Sequence, residues 1–497
     1  LYMGTFHSIF SRILRIEAEK LGYTKQFTIY DEADSRSLLK NIIKEMKLDD
    51  KMYKPAGVHA KISMAKNHLI LPDLYAQDQA ALKRDYHNHQ PEIYKIYQTY
   101  QQRCQKANAM DFDDLLVLTW RLFKEHDDIR KKYAERFKYV LVDEYQDTNF
   151  VQQCIVLQLT QEHRRVCVVG DDAQSIYGFR GANIDNILDF QKIYPETRLF
   201  KLEQNYRSTQ HIVQAANSLI QHNKRQIPKD VFSCNDKGER LILRPVYSDK
   251  EEAAVVCRYI KRLKQKEDFN YDSYAILYRT NSQSRSFEEE MRRQSIPYRI
   301  FGGMSFYQRK EIKDIISYLR VCTNYNDDIN LLRIINTPRR GIGRKTIEKL
   351  NAIAAEKECP LWEAIETYIA HTKTPGASRP GKSGNPADER ENLLFDGDDV
   401  PSFQVPGKGF AAASEGKTEK ETDKNYGALE EFYDFIVAQR SALLGSGSLS
   451  KKVRAFVETL DYWSYLVSEY PKNEKAARYK FRRHGYQRLK QTKDRHR

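Results

Sequence analysis

Two adjacent carboxylates, Asp143 and Glu144, directly follow the short apolar run 139–142 and are well suited to chemistry. A run of this length with β-branched residues is typical of a strand buried on both faces of a parallel sheet, which places its chemistry at the strand carboxyl ends. There an aspartate can help to hold Mg²⁺, and a neighbouring carboxylate can orient and deprotonate an attacking water. Taken alone, the pattern is more often a solvated turn, so the surrounding segments must decide.

Two further polar segments follow predicted strands in the same way. The strand 166–169 leads into the segment 170–181, and a third strand, 197–202, leads into the segment 203–209. A helix separates the first two strands, and this alternation of strand, helix and strand argues for a parallel α/β layer. Because polar residues sit just past each strand end, we expect the three segments to converge on one site.

The rest of the chain predicts helices around these strands. Residues 4–22 form a short loop and an amphipathic helix, and residues 31–110 are almost wholly helical. Strands near 241–246 and 274–278, with a helix over 250–265 between them, predict a second α/β domain. After residue 306 the chain turns helical again, which indicates a second helical insertion.

Composition favours a polyanionic partner. The 497 residues carry 82 Lys and Arg against 68 Asp and Glu, a formal net charge of +14, and this balance is typical of nucleic-acid binding. Ribosomal or membrane-surface binding stays open. A hydrophobic content of 40% predicts no membrane span, and seven scattered cysteines predict neither a zinc site nor a disulfide framework, which fits a reducing cytoplasm.

A basic glycine turn occupies residues 337–346 and includes Gly341, Gly343 and Lys345. Exposed amides and flanking cations at a helix start could contact DNA phosphates, although an ordinary helix connector explains the same turn. Residues 373–425 hold seven Gly and five Pro, and we predict that they are disordered. The phosphate-loop pattern inside them, residues 376–383, does not lie between a strand and a helix, so we reject it.

The three polar segments resemble motifs of the UvrD/PcrA/Rep group of superfamily 1 DNA helicases. The matching residues read Asp-Glu-Tyr-Gln-Asp-Thr-Asn, Gly-Asp-Asp-Ala-Gln-Ser-Ile-Tyr-Gly-Phe-Arg-Gly-Ala and Gln-Asn-Tyr-Arg-Ser-Thr, in the order and spacing of the family. The resemblance extends to Gly-Thr-Phe-His-Ser at 4–8 and to residues 297–314. It implies an ATP-dependent DNA helicase or translocase with 3′-to-5′ polarity in DNA repair or replication.

The same resemblance implies a nucleotide site. Asp143 and Glu144 would serve Mg²⁺ and the attacking water. Gln174 and Arg207 would contact the γ-phosphate of ATP, and Tyr206 would stack on adenine. A planar Arg fork suits phosphoryl oxygens, and a Gln amide can sense the γ-phosphate.

A site for single-stranded DNA and single/double-strand junctions is also implied. Tyr177 and Phe179 would stack on bases, which needs no sequence readout because every base has a π-face, although ordinary core packing is the alternative for both rings. Arg180, Thr5 and His7 would add contacts. The family usually has Trp where Phe179 stands, so we expect weaker stacking there.

The resemblance implies RecA-like P-loop NTPase domains with parallel sheets and large helical insertions. The expected bounds are 1–32 with 111–200 (first domain), 33–110 (insertion), 201–304 (second domain), 305–372 with 426–475 (second insertion), 373–425 (disordered) and 476–497 (basic tail). We expect both domains to be incomplete, without the phosphate loop and the C-terminal motifs, and the chain alone to be inactive. The basic tail is either natural or a shifted reading frame. A non-catalytic single-stranded-DNA-binding protein is the competing function.

Overall fold

The computed structural model describes residues 1–267, 269–301, 309–373 and 418–469. The predictions for a basic tail and for the phosphate-loop pattern fall outside these residues. The helices are α1 (Phe6–Glu17), α2 (Glu32–Glu45), α3 (Pro55–Asn67), α4 (Pro72–Gln77), α5 (Gln79–His87), α6 (Ile93–Lys106), α7 (Phe112–Glu125), α8 (Asp127–Arg136), α9 (Phe150–Thr160), α10 (Asp185–Leu188), α11 (Phe190–Ile193), α12 (Gln210–Ile220), α13 (Asp249–Glu267), α14 (Ser284–Arg293), α15 (Lys310–Thr323), α16 (Asp328–Ile334), α17 (Arg344–Glu356), α18 (Leu361–Lys373), α19 (Thr418–Leu444), α20 (Leu449–Leu460) and α21 (Tyr462–Glu469). None of these helices is both long and apolar enough to cross a membrane.

Within the described residues, four short strands form two parallel pairs. They are β1 (Thr28–Ile29) with β2 (Ala109–Met110), and β3 (Val140–Val142) with β4 (Val166–Val168). The fold is therefore mostly helical with small parallel sheets. Helix α19 begins at Thr418, inside the segment 373–425, and residues 374–417 of that segment lie outside the described residues, so disorder there stays a prediction.

The chain divides into two compact units. The first unit comprises Leu1–Leu14, Ala60–Arg84 and Asp113–Lys313, and the second comprises Arg15–His59, Asp85–Phe112 and the described residues of Asp314–Arg497. The domain bounds implied by the resemblance stay a prediction.

In the first unit, β3, α9 and β4 form the predicted strand, helix and parallel strand. Val140 pairs with Val166, and Val142 pairs with Val168. Helix α9 begins sharply because the side chain of Asn149 accepts the Gln152 N–H and the side chain of Gln152 accepts the Asn149 N–H, which is a complete capping box. The apolar cluster beneath this sheet holds Val142, Tyr145, Val156, Phe190 and Tyr194.

The prediction of a strand buried on both faces is wrong for β3. Leu141 is 76% exposed, and β3 pairs only with β4 among the described strands. The predictions of strands at 197–202, 241–246 and 274–278 are wrong as well, because these segments form no strand in the structure. A strand gains its hydrogen bonds only from a neighbour, and β-propensity without one does not produce a sheet.

In the second unit, helices bury one face each. Helix α2 is capped by Asp31, whose carboxylate accepts the N–H groups of Ala33 and Asp34, and it buries residues spaced along one side. It packs against α6, whose buried Ile93, Ile96 and Tyr100 follow helical spacing. The predicted helical character of residues 31–110 is confirmed by α2 to α6.

Helices α15 to α21 share one apolar cluster, which forms their core in this second unit. Two of its aromatic side chains stack face to face: the ring centroids of Tyr325 and Trp362 lie 4.3 Å apart, and the ring planes are 5° apart. A buried polar network lies within the same unit: the Tyr30 hydroxyl donates to Asp327 at 3.0 Å, and Asn324 donates to Thr28. These contacts join β1 to the start of α16.

Candidate nucleotide and DNA site

The acidic pair follows β3 in a tight turn. Glu144 has a left-handed backbone with φ of 50°, which is uncommon for a residue with a side chain. Its N–H donates to Asp143 Oδ1 at 2.9 Å, and its Oε2 accepts from Gln146 Nε2 at 2.8 Å. Both carboxylates are exposed to solvent. The turn therefore presents two acidic groups just past the strand end, as the sequence predicts.

Gln146 links the acidic pair to the next polar segment. Its side chain is only 1% exposed, and its Oε1 accepts the Asp171 N–H at 3.1 Å while its Nε2 donates to Glu144. A Cβ on Gly170 would lie 2.5 Å from that same oxygen, so this position needs glycine for close approach. Sequence reasoning missed Gln146, since nothing in the local pattern separates a bridging amide from a turn residue.

Gln174 ends a 3₁₀ turn, Asp172–Gln174, in the segment that follows β4. Asp171 Oδ2 accepts from Gln174 Nε2 at 2.8 Å, and Asp171 Oδ1 accepts the Ala173 N–H at 3.1 Å. The Lys229 ammonium donates to Asp171 at 2.5 Å and to Asp172 at 2.6 Å. Sequence reasoning also missed Lys229, which lies far along the chain.

These contacts shift the pKa values of Asp171 and Lys229. Partial burial alone would raise the pKa of Asp171, but the hydrogen bonds from Lys229 and Gln174 prevail and lower it. Burial likewise disfavours the charged form of Lys229, but its bonds to Asp171 and Asp172 raise the pKa of the ammonium. Both groups are therefore charged at neutral pH, and Lys229 neutralises part of the acidic charge on this loop.

Tyr177, Phe179 and Arg180 form one exposed cluster at the end of the same segment. The two ring centroids are 6.1 Å apart, and the rings are 39% and 63% exposed. The Arg180 guanidinium carbon lies 5.3 Å from the Tyr177 centroid and 5.4 Å from the Phe179 centroid. Ordinary core packing is therefore wrong for these two rings. Exposed π-faces beside a cation are the groups that stack on nucleic-acid bases.

Tyr206 and Arg207 are exposed on a turn organised by Asn205. The Asn205 side chain accepts the N–H groups of Arg207 at 3.0 Å and Ser208 at 2.8 Å, and the Tyr206 hydroxyl donates to Gln204. Within the described residues, neither Tyr206 nor Arg207 has a hydrogen bond to the acidic pair or to Gln174. Their convergence on one nucleotide stays a prediction.

Thr5 and His7 flank the start of α1. The Thr5 hydroxyl accepts the Ser8 N–H at 3.3 Å, and Phe6 packs against the cluster that contains Val142 and Tyr145. Burial lowers the pKa of His7, so its imidazole is neutral at neutral pH. The start of α1 thus lies against the end of β3 within the first unit.

The glycine turn belongs to the second unit. Gly341 has φ of 81°, and a Cβ built on Gly341 or Gly343 would meet nothing within 4 Å. Lys345 is exposed in the first turn of α17. Arg340 instead turns inward, where its guanidinium lies 5.2 Å from the Phe432 centroid and donates to backbone carbonyls.

The acidic pair has the donor chemistry that Mg²⁺ requires. Carboxylate oxygens are suitable hard ligands, and Mg²⁺ usually takes only one or two of them together with water and phosphate oxygens. No group of three or more His, Cys, Asp or Glu residues that could hold a metal by itself occurs in the described part of the chain. Asp143 and Glu144 would fit Mg²⁺ as part of a site shared with a phosphate ligand.

The chain is similar to known helicases over residues 1–374. Residues 1–195 match the UvrD/REP helicase N-terminal domain, and residues 200–374 match the UvrD-like helicase C-terminal domain. The ATP-dependent DNA helicases PcrA of Staphylococcus epidermidis and Staphylococcus aureus are each 42% identical to the chain over 365 residues. That alignment covers 73% of this chain and 49% of each relative, so the chain spans about half the length of the curated relatives it matches. The chain belongs to the UvrD/REP helicase family.

Proposed function

We propose that the protein is an ATP-dependent DNA helicase or translocase with RecA-like domains. One observation carries the proposal: a hydrogen-bonded path runs from Glu144 through Gln146 and Asp171 to Gln174. Three residues after Gln174, the same segment presents the Tyr177 ring to solvent. An acidic strand end, a side chain that can sense phosphate and a stacking surface are thus joined without a break.

On the nucleotide side, we assign the acidic pair to hydrolysis of ATP. Glu144 is the general base for the attacking water, because its Oε2 is fixed by Gln146 and its carboxylate is exposed to solvent. Asp143 would hold Mg²⁺, which neutralises charge on the phosphates when bound. Gln174 and Arg207 would donate to the γ-phosphate, and Tyr206 would stack on adenine through its exposed ring.

On the DNA side, we assign Tyr177, Phe179 and Arg180 to single-stranded bases and Arg180 also to the backbone. Base stacking on aromatic rings is tolerant of sequence, which suits a motor that must pass every base. Thr5, His7, Gly341, Gly343 and Lys345 are proposed as further contacts to the strand or its junction with duplex. The net charge of +14 adds a general attraction to phosphate.

Membership of the family supports further proposals on direction of movement, biological role, location and domain arrangement. We propose 3′-to-5′ movement, a role in DNA repair or replication, a cytoplasmic location, and the two-domain arrangement with helical insertions described above. A duplex with a 3′ single-stranded tail should be unwound by a protein of the relatives' full length, and one with a 5′ tail should not.

The central test measures DNA binding by this chain. A labelled oligothymidine should bind in a salt-sensitive way, and Tyr177→Ala should weaken binding about tenfold, the scale of one lost stacking contact. Tyr247→Ala is the matched control, since that ring is fully exposed elsewhere in the same unit. Equal affinities for the two variants would contradict the stacking assignment.

A second measurement separates the catalytic function from its alternative. A protein of the relatives' full length should hydrolyse ATP faster when single-stranded DNA is added. Binding of DNA without any stimulation of hydrolysis would favour a non-catalytic single-stranded-DNA-binding protein.

A further inference from the structure

A short segment, residues 227–235, lies between the Gln174 loop and the Tyr206 turn, and we call it the strap. At its start, the Ile227 N–H donates to Asp172 Oδ2 at 2.9 Å, and the Lys229 ammonium donates to Asp171 and Asp172. Asp172 is buried, and Lys229 is only 19% exposed. This end of the strap is therefore anchored to the loop by a partly buried ion pair and a backbone bond.

The far end of the strap is bonded to the turn that carries Tyr206. The Phe232 N–H donates to the Glu203 carbonyl at 3.0 Å, and the Asn205 N–H donates to the Phe232 carbonyl at 2.7 Å. Ser233 Oγ donates to the Ser208 carbonyl, and Asn235 Nδ2 donates to the Tyr206 carbonyl. One segment thus fixes both loops to which the nucleotide contacts are assigned, all within the first unit.

Lys229 and Gln174 donate to the same carboxylate, that of Asp171. In the structure, Gln174 Nε2 donates to Asp171 Oδ2, although the same amide group is the donor that a γ-phosphate oxygen would accept. Asp171 therefore competes with phosphate for this side chain. An unneutralised carboxylate would hold the amide more strongly and would repel a triphosphate, and the Lys229 ammonium at 2.5 Å reduces both effects.

We propose that Lys229 is a positioning residue for ATP, which neutralises Asp171 so that Gln174 can exchange Asp171 for the γ-phosphate. The inference rests on the proposed function, because it assumes that Gln174 meets a nucleotide. Lys229 touches neither substrate nor reacting atoms in this assignment and acts only through Asp171. Its effect should therefore depend on the γ-phosphate, so binding of ATP should change and binding of ADP should not.

The test uses a protein of the relatives' full length and compares Lys229→Ala with wild type. We expect the KM for ATP to rise about tenfold, the scale of one lost charge-assisted contact, while the affinity for ADP changes less than twofold. Lys229→Arg should restore most of the ATP affinity because it keeps the charge. Lys224→Ala is the matched control, since Lys224 is an exposed lysine shortly before the strap.

A double variant distinguishes electrostatics from anchoring. In an Asp171→Asn background the carboxylate charge is absent, so Lys229→Ala should then change the KM for ATP less than threefold. An equal loss of ATP and ADP binding, unchanged by Asp171→Asn, would overturn the inference and leave Lys229 as an anchor of the strap. A wild-type value for Lys229→Ala would overturn it as well. Absence of DNA-stimulated hydrolysis in the wild-type protein would instead refute the proposed function, and the inference with it.

Discussion

The helical core of the second unit and the small sheet that carries Glu144 differ in how completely they bury their apolar side chains. The core of α15 to α21 includes fully buried Tyr318, Leu331 and Phe432, whereas the strand residue Leu141 is 76% exposed and Phe200 is 77% exposed. A helix satisfies its backbone within one segment, but a strand depends on neighbours that can be distant in sequence. The stability of the fold should therefore depend mainly on the helical core, and the chemistry on the small sheet that carries Glu144.

The largest expected effect is on the stability of the helical core. Phe432→Ala removes a fully buried ring and should lower the free energy of unfolding of the second unit by about 3–5 kcal/mol. Urea denaturation of this chain, followed by circular dichroism, measures the loss. Phe200→Ala is the control because that ring is exposed. A loss below about 1 kcal/mol at Phe432 would contradict the assignment of this cluster as the core.

The next effect is on catalysis without a change in stability. In a protein of the relatives' full length, Glu144→Gln should slow ATP hydrolysis by about 100-fold, the usual scale for a lost general base. Its melting temperature should stay within about 1 °C because the carboxylate is exposed. Glu196→Gln, an exposed residue of the same unit, is the control. Near-normal turnover would remove Glu144 from the base role.

A smaller effect concerns pH and the polar residues of the helical core. Burial, with a contribution from neighbouring Asp327, raises the pKa of Asp328 to about 7, although the carboxylate accepts the Leu361 N–H at 2.9 Å. An unfolded aspartate has a pKa of about 3.9, so the folded chain binds this proton more tightly. The stabilisation is fully present below about pH 4 and is lost as the pH rises through about 7.

The measurement compares unfolding of Asp328→Asn and wild type at pH 5 and pH 8. Asparagine keeps an acceptor for Leu361 but carries no charge, so the variant should lose less stability than wild type on going to pH 8. The exposed Asp434→Asn should follow wild type at both pH values. Parallel pH dependence of Asp328→Asn and wild type would show that Asp328 does not titrate in this range.

The smallest effect is expected where apolar side chains of predicted strands face solvent. Leu243 is 96% exposed, so Leu243→Ala should change the free energy of unfolding by less than about 0.5 kcal/mol. Urea denaturation of Leu243→Ala and of Val213→Ala measures the difference, since Val213→Ala truncates a buried side chain of the same unit. A loss at Leu243 as large as that at Val213 would show that the segment 241–246 is packed in solution.

Much of the candidate site follows from local sequence. The order of strand, polar segment and helix predicted the parallel pairing of β3 and β4 and the position of Asp143, Glu144 and Gln174 just past the strand ends. Helix starts could be predicted as well, because caps such as Asn149 act over three residues. Strands 197–202 and 241–246 could not, because pairing depends on segments elsewhere in the chain.

The sequence by itself determined the family, the helical character of most of the chain and the residue types available for nucleotide and DNA contacts, because motifs, periodicity and caps are local properties. Only the tertiary structure decided which side chains meet. Gln146 is a buried bridge because β3 and β4 lie side by side, and Lys229 neutralises Asp171 across 58 residues of sequence. Such contacts are set by packing and electrostatics between distant segments, and no local pattern encodes them.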